Sequence, residues 1–389
     1  MNHDYSGVAV LTPATVPYQR YSERGAAWFI GRCLADLLNS AGLEKSDVDG
    51  LAVTSMTLAP DTVVSLVGQY GMTTRWLEHI PMGGAAAIVS LRRAARAVQA
   101  GDAGVVACIA GDTHRKGSFR EAIRHFSEFS RQAVYPYGAA GPNGVFALMT
   151  RAYMEEFVAT REDFGHVCIA QRANAADNPL ALLRDSLDME TYLAARPIAE
   201  PIHLLDCVMS CAGAEGFLVT SIDRARSLGL PFAELAAAEE RHNAWPDDPV
   251  QLRGGWGQFR EELFAMAGAG PQEMDFAQLY DDYPVIVMQQ LEDLGFCGKG
   301  EAPEFVRRTD LTCAGGGLPL NTCGGQLSAG QAGFAGGHLG VVEALRQLLG
   351  QALGAQVPDA DIGLVSGYGI ANYDRCLCSA AAVLKRGEL

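Results

Sequence analysis

One order of elements occurs twice in this chain, and that repeat limits the fold more than any single motif does. Gly7 to Leu11 (GVAVL) reads as a short strand. Ala26 to Ser40 (AAWFIGRCLADLLNS) carries apolar residues at helical spacing and is stopped by Gly42. Val48 to Thr54 reads as the next strand and Ala85 to Ala100 as a second amphipathic helix, ended by Gly101. Gly104 to Ala110 (GVVACIA) is a continuous apolar run, the pattern of a strand buried on both faces. Late in the chain, Ala267 to Leu279 (AGAGPQEMDFAQL) repeats the pattern of Ala41 to Val53 (AGLEKSDVDGLAV): a helix end, a turn with acids, then a strand. Gly336 to Leu353 follows as a helix and Ala360 to Gly369 as another buried strand. Two copies of one α/β unit account for this better than one long sheet. An N-terminal half at 1–230 and a C-terminal half at 231–389 are expected, with a long insertion from Asp112 to Asn178 in the first. Long ordered insertions in compact domains usually carry function.

Charge and cysteine usage remove several function classes. The 45 acidic residues outnumber 30 basic ones, for a net charge of −15, so the basic footprint of a nucleic-acid binder is missing. An anionic ligand then needs local help from Arg, Lys or helix N-termini. The ten cysteines include no pair of CxxC motifs, so reduced thiols and no metal site are expected. Cys376 and Cys378 lie in an alternating stretch, which predicts both side chains on one face of a strand, as packing. The N-terminal stretch lacks a basic region and a long apolar core, and no apolar run approaches the ~20 residues of a membrane span. A soluble, cytoplasmic protein is expected.

Taken together, the segments AGLEKSDVDGLAV, GGAAAIVSLRRAARAVQAGDAGVVACIAGD, YDDYPVIVMQQLEDLGFCGKGE and LPLNTCGGQLSAGQAGFAGGHLGVVEALRQL, with the closing SGYG strand, resemble the thiolase superfamily. The likeness runs over nearly the whole chain and is greatest to the sterol carrier protein-type branch. It implies a duplicated, five-layered αβαβα fold and a substrate carried on coenzyme A, with no covalently bound cofactor. It also implies a homodimer, and a small accessory subunit with an OB fold and a zinc ribbon that completes a CoA channel.

The departures from the family pattern carry the functional expectation. Working thiolases hold a nucleophilic Cys at a helix N-terminus, where the dipole stabilises the thiolate. That position falls on Gly84, within Met82-Gly83-Gly84-Ala85. The His of the Gly-His pair is replaced by Gln331, which is neutral and can only exchange hydrogen bonds. The tetrad that positions an oxyanion water reads Tyr280-Asp281-Asp282-Tyr283, and the proton-shuttling Cys near the C-terminus is replaced within Ser366-Gly367-Tyr368-Gly369. The resemblance then points to the lipid-transfer-type aldolases, which cleave steroid acyl-CoA side chains by a retro-aldol route without an acyl-enzyme.

On that basis Tyr280, Tyr368, Asp281 and Gln331 are the expected catalytic residues, with backbone at Gly83, Gly84 and Gly369 as an oxyanion site. Of Asp281 and Asp282, one is expected to face the site and the other to cap or ion-pair. Tyr368 is expected on a tight Gly-Tyr-Gly turn, and the missing Cys side chain is expected to leave room for a branched substrate. One alternative is acyl transfer, with Cys323 as a relocated nucleophile or an acyl group supplied by a partner. Another is a non-catalytic acyl-CoA-binding or scaffold subunit. Cys207, Cys211, His203 and His338 read as packing or turn residues. The basic cluster Arg115, Lys116, Arg120, Arg124 and Arg131, with His125, reads as a solvated helix face or a patch for a CoA phosphate.

Overall fold

In the computed structural model, which describes residues 4–118, 121, 127–138, 141–372 and 375–389, the repeat in the sequence is a repeat in space. The strands are β1 (Val8–Gln19), β2 (Gly50–Thr54), β3 (Trp76–His79), β4 (Val105–Asp112), β5 (Pro197–Ala199), β6 (Ile202–His203), β7 (Ala212–Ser221), β8 (Phe232–His242), β9 (Phe276–Gln278), β10 (Ile362–Asn372) and β11 (Arg375–Arg386). Nine of them form one sheet in the order β3-β2-β4-β7-β1-β8-β11-β10-β9, while β5 and β6 pair apart from it. β2 runs parallel to β3 and β4, and β9 runs parallel to β10. The seam between the copies is the antiparallel pairing of β1 with β8.

The two copies match in detail. The helices Ala26–Ala41 and Trp256–Ala267 both end on a left-handed glycine, Gly42 (φ 64°) and Gly268 (φ 63°). Each is followed by one 3-10 turn, Lys45–Asp47 or Pro271–Glu273, and then by β2 or β9. Asp49 accepts from the Gly104 and Val105 amides (2.8 and 3.0 Å), and Asp275 accepts from the Asp361 and Ile362 amides (2.7 and 2.9 Å). In each copy an acid on the turn thus fixes the start of a neighbouring strand.

Three large apolar clusters and two small ones pack the sheet and its helices. The helix Ala26–Ala41 covers the outer face of β1, β2, β4 and β7. The helices Ala86–Ala100 and Gly336–Leu348 fill the middle, between Val10, Val106 and Phe217 on one side and Leu235, Val365 and Ala380 on the other. Trp256, Phe259 and Leu263 cover the outer face of β8, β10 and β11. The insertion joins this last layer, because Phe146, Tyr153 and Phe164 pack in one cluster with Ile286, Leu291 and Leu320. A segment counted with the N-terminal half in the sequence is therefore packed against C-terminal elements.

Three local expectations are corrected. The helix expected to reach Leu353 ends at Leu348. The SGYG stretch is no turn: β10 runs straight through it. Gly367 and Gly369 serve instead for close approach. A Cβ on Gly367 would sit 2.7 Å from Gly84 O and 2.8 Å from Ala85 Cα, and one on Gly369 would strike Met82 O. Cys376 and Cys378 also point to opposite sides. Cys376 joins Tyr280, Tyr368 and Trp256, whereas Cys378 joins Ala380 and Ala382 in the middle layer. Ile370, on the strand paired with them, has φ 53°, and this kink breaks the alternation.

Asp112, at the end of β4, ties the copies together. One carboxylate oxygen accepts from Ser55 Oγ (2.7 Å), Met56 N (3.0 Å), Thr57 N (2.8 Å) and Thr57 Oγ1 (2.6 Å). The other accepts from Phe334 N (2.8 Å), in the 3-10 turn Gly333–Ala335 that opens the helix Gly336–Leu348. Arg120, Arg124 and His125 lie outside the described residues.

Candidate active site

The two middle helices begin in the same way, each on a 3-10 turn whose first glycine has φ 55°: Gly83 in one copy and Gly333 in the other. Their starts meet. A Cβ on Gly337 would lie 2.7 Å from Gly84 O and 2.8 Å from Gly84 Cα, so only a glycine permits the contact. Two helix N-termini with their partial positive charge therefore converge beside Gly84.

The space that a side chain at Gly84 would fill is taken. An ideal Cβ there would fall within the Tyr280 ring and against the Tyr368 carbonyl oxygen. The room expected for a branched substrate is occupied by the Tyr280 ring.

Two buried amides hold Tyr280 in place. Asn321 accepts from Leu279 N (2.7 Å) and donates to Leu279 O (2.9 Å). Gln290 accepts from Tyr280 N (3.1 Å) and donates to Tyr280 O (2.7 Å), and Ser366 Oγ also donates to it. Consecutive residues are thus clamped as if by a neighbouring strand.

The four side chains of the tetrad go to four places. The Tyr280 hydroxyl lies within hydrogen-bonding reach of the Asp282 carboxylate, and burial keeps its pKa well above the usual phenol value. Asp281, 2% exposed, accepts from Gln326 N (3.0 Å) and Leu327 N (3.2 Å) and so caps the short helix Gly325–Ala329. Burial lifts it to about 6 against the pull of these donors. Asp282 is partly exposed and accepts from Gln331 Nε2; burial, with the charge of Asp281, raises it to about 7. The Tyr283 hydroxyl donates to Asn143 Oδ1, and its ring stacks on Phe146 at 4.2 Å, which ties the insertion to the site.

Tyr368, 1% exposed, leans on Trp256 (4.9 Å between ring centres, 43° between planes) and donates its hydroxyl to Gln251 Oε1. That same oxygen accepts from Cys376 N (2.9 Å), and Gln251 Nε2 reaches Cys376 O (3.4 Å). The amide is therefore oriented by the β11 backbone, and Tyr368 must be the donor. Tyr280 meets Gly84 with its ring and Tyr368 with its backbone carbonyl, and their hydroxyls are held by different partners.

Known proteins similar to this chain give its family. Residues 245–382 match the family described as Thiolase C-terminal domain-like. A steroid side-chain-cleaving aldolase of Thermomonospora curvata is 34% identical over 345 residues, covering 85% of this chain and 87% of that protein. A 17-hydroxy-3-oxo-4-pregnene-20-carboxyl-CoA lyase of Mycobacterium tuberculosis is 32% identical over 379 residues, covering 93% and 96%. The chain belongs to the thiolase superfamily, in its aldolase branch. A solved Ltp2-ChsH2(DUF35) aldolase superposes on this aldolase-branch fold with a TM-score of 0.84 at 29% identity, over 98% of this chain and 99% of that one. A monomeric SCP2-thiolase-like protein of Mycobacterium smegmatis shares the fold with a TM-score of 0.71 at 15% identity, over 98% and 78%.

Within this thiolase-superfamily chain, the structure gathers Gly83, Gly84, Gly369 and Tyr280 around one point; Gln331 is joined to the tetrad through Asp282, Asp281 caps the neighbouring helix, and Tyr368 reaches Gly84 with its backbone carbonyl. Cys323 lies behind Asp281, on a cavity of about 20 Å³, enough for one water. Burial pushes its thiol well above the usual range, which disfavours the thiolate that a nucleophile needs. His338 is wholly buried, and burial holds its imidazole down to about 3. Sequence reasoning passed over Gln251 and Gln290 and set Asp282 behind Asp281. The available signal was polar residues inside apolar runs, as in PVIVMQQLED, where every residue is buried. Among the described residues, no three His, Cys, Asp or Glu are grouped to hold a metal, and no helix is long and apolar enough to cross a membrane.

Proposed function

We propose that this chain cleaves the Cα–Cβ bond of a β-hydroxyacyl-CoA by a retro-aldol reaction, with a steroid as the part released as a ketone. The observation that carries the reading is at Gly84: a tyrosine ring stands where an acyl-enzyme would need a thiol. The aldolase and lyase names of the two relatives support the reaction class and the steroid acyl-CoA substrate.

In the reaction the β-hydroxyl loses its proton, a ketone forms, and the bonding pair moves onto the thioester as an enolate. Backbone at Gly83 and Gly84, at the meeting of two helix starts, stabilises the enolate oxygen. Tyr280, in the nucleophile's place, serves the β-hydroxyl, and Tyr368, whose hydroxyl rests on Gln251, is the second proton-handling group. Gln331 and Asp281 hold the surroundings in register. The assembly we propose is a homodimer completed by a small accessory subunit, a reading supported by the two-component title of the Ltp2-ChsH2(DUF35) structure. The cytoplasm is the proposed compartment.

The test is incubation of the protein, alone and with its accessory subunit, with a steroid β-hydroxyacyl-CoA. The expected result is a ketone and a shortened acyl-CoA, with no mass added to the protein. Tyr280→Phe should lower turnover by about 10²–10⁴-fold at an unchanged melting temperature. A thioester adduct, on Cys323 or elsewhere, would overturn the reading in favour of acyl transfer.

A further inference from the structure

We infer that Asp282 is the terminal proton acceptor of this site, drawing the β-hydroxyl proton of the substrate through the hydroxyl of Tyr280. The inference rests on the retro-aldol reading and adds to it a residue that the sequence had set aside in favour of Asp281.

The two neighbouring acids are built for different tasks. Asp281 is buried and spends both oxygens on backbone amides of the helix it caps. Asp282 has no such duty. One of its oxygens receives Gln331 Nε2, and the Tyr280 hydroxyl is within reach of the carboxylate. The Gln331 amide is itself oriented. Gln326 donates its Nε2 to Asp281 Oδ1 (3.3 Å), which turns its Oε1 toward Gln331 Nε2 (3.2 Å). The Gln331 NH₂ group is thus turned to the carboxylates' side, and Asp282 has a fixed donor.

Tyr280 alone does not suffice as a base. A phenol buried beside a carboxylate keeps its proton at neutral pH, and the direction of its shift says so. It can, however, pass a proton on. The substrate O–H bond breaks as its proton reaches Tyr280 Oη, and the Tyr280 O–H bond breaks as that proton reaches an Asp282 oxygen. The C=O bond forms, the Cα–Cβ bond breaks, and the electron pair rests on the thioester enolate. The enolate carbon then takes a proton from Tyr368 Oη; Asp282, being partly exposed, gives its proton to water, and water restores the one that Tyr368 lost. Protons and charge balance with no further reagent.

The titratable groups facing Asp282 are Tyr280, Asp281 and Tyr283 from its own segment and Cys376 from β11; Gln331 is neutral. Burial and Asp281 raise the Asp282 carboxyl to about 7, which suits a base working near neutral pH.

The experiment is kcat and KM against pH, from about 5 to 9, for the wild type, Asp282→Asn, Asp282→Glu, Tyr280→Phe and the Asp282→Asn/Tyr280→Phe pair. Wild-type kcat should fall on the acid side of about pH 7. Asp282→Asn should lose that limb and about 100-fold or more in kcat, with KM and melting temperature little changed. The pair should be hardly worse than either single change, since both cut one relay. Asp282→Glu should retain partial turnover with a displaced limb, and it decides the matter if the Asn variant does not fold. An Asp282→Asn enzyme with near-native kcat and the wild-type limb would overturn the inference, and so would a Glu variant whose limb does not move. If the wild type itself cleaves no β-hydroxyacyl-CoA, the reaction assignment fails, and the two failures are told apart by that control.

Discussion

Gly84→Ala is the smallest change that probes the packing at the centre of the site. The added Cβ would fall within the Tyr280 ring, well inside the 3.0 Å that real Cβ atoms essentially never breach. It would also meet the Tyr368 carbonyl oxygen, which β10 holds in the sheet. The ring is the softer neighbour and must retreat by at least about 1 Å, carrying its hydroxyl away from Asp282. Overpacking of this kind costs roughly 1–3 kcal/mol. A misplacement of about 1 Å at a reacting group costs on the order of 10²-fold in rate. Turnover on the β-hydroxyacyl-CoA and thermal unfolding measure the two effects separately. The cycle with Tyr280→Ala separates the two contacts: with the ring gone, Gly84→Ala should lose the part of its stability cost that the ring causes and keep the part due to the Tyr368 carbonyl oxygen. A Gly84→Ala protein with native stability and turnover would refute the packing described at Gly84.

Gln251→Leu keeps the volume but strands the buried Tyr368 hydroxyl and the Cys376 amide; a loss of about 1–3 kcal/mol per unpaired group is expected in denaturant unfolding, with reduced turnover. Unchanged stability would show that the clamp on Tyr368 is idle. The proposed homodimer should sediment at about twice the 41.4 kDa of the chain, and co-expression with the accessory subunit should raise turnover. A monomer at full rate alone would refute both.

The repeated framework was legible because periodicity and stop signals are local. Gly42, Gly101 and Gly268 end their helices where the pattern ends, and β4 is as buried as its unbroken apolar run implied. What failed was set by contacts between distant segments. Gly367 and Gly369 look like turn formers, and nothing nearby in the sequence says that Met82 to Ala85 will press against them. The alternation around Cys376 and Cys378 was read correctly as a strand, but the kink belongs to Ile370 on the neighbouring strand. Asp281 and Asp282 are indistinguishable as letters; the helix Gly325–Ala329 and Gln331, some 45 residues onward, decide which of them is spent on a cap.

The meeting of Gly84 and Gly337 bears on how such a site can come into being. Each copy of the α/β unit supplies one helix start, and the Asp112 carboxylate of the first copy holds the helix start of the second. A single copy would present its helix start to empty solvent, with no second N-terminus opposite and no tyrosine to stand before it. Two half-length chains paired about a two-fold axis could build the place, but only with two equal sides. Joining them into one chain frees each side to change alone. The asymmetry seen here, a bare glycine on one side and a tyrosine–aspartate pair on the other, is available only to the fused form.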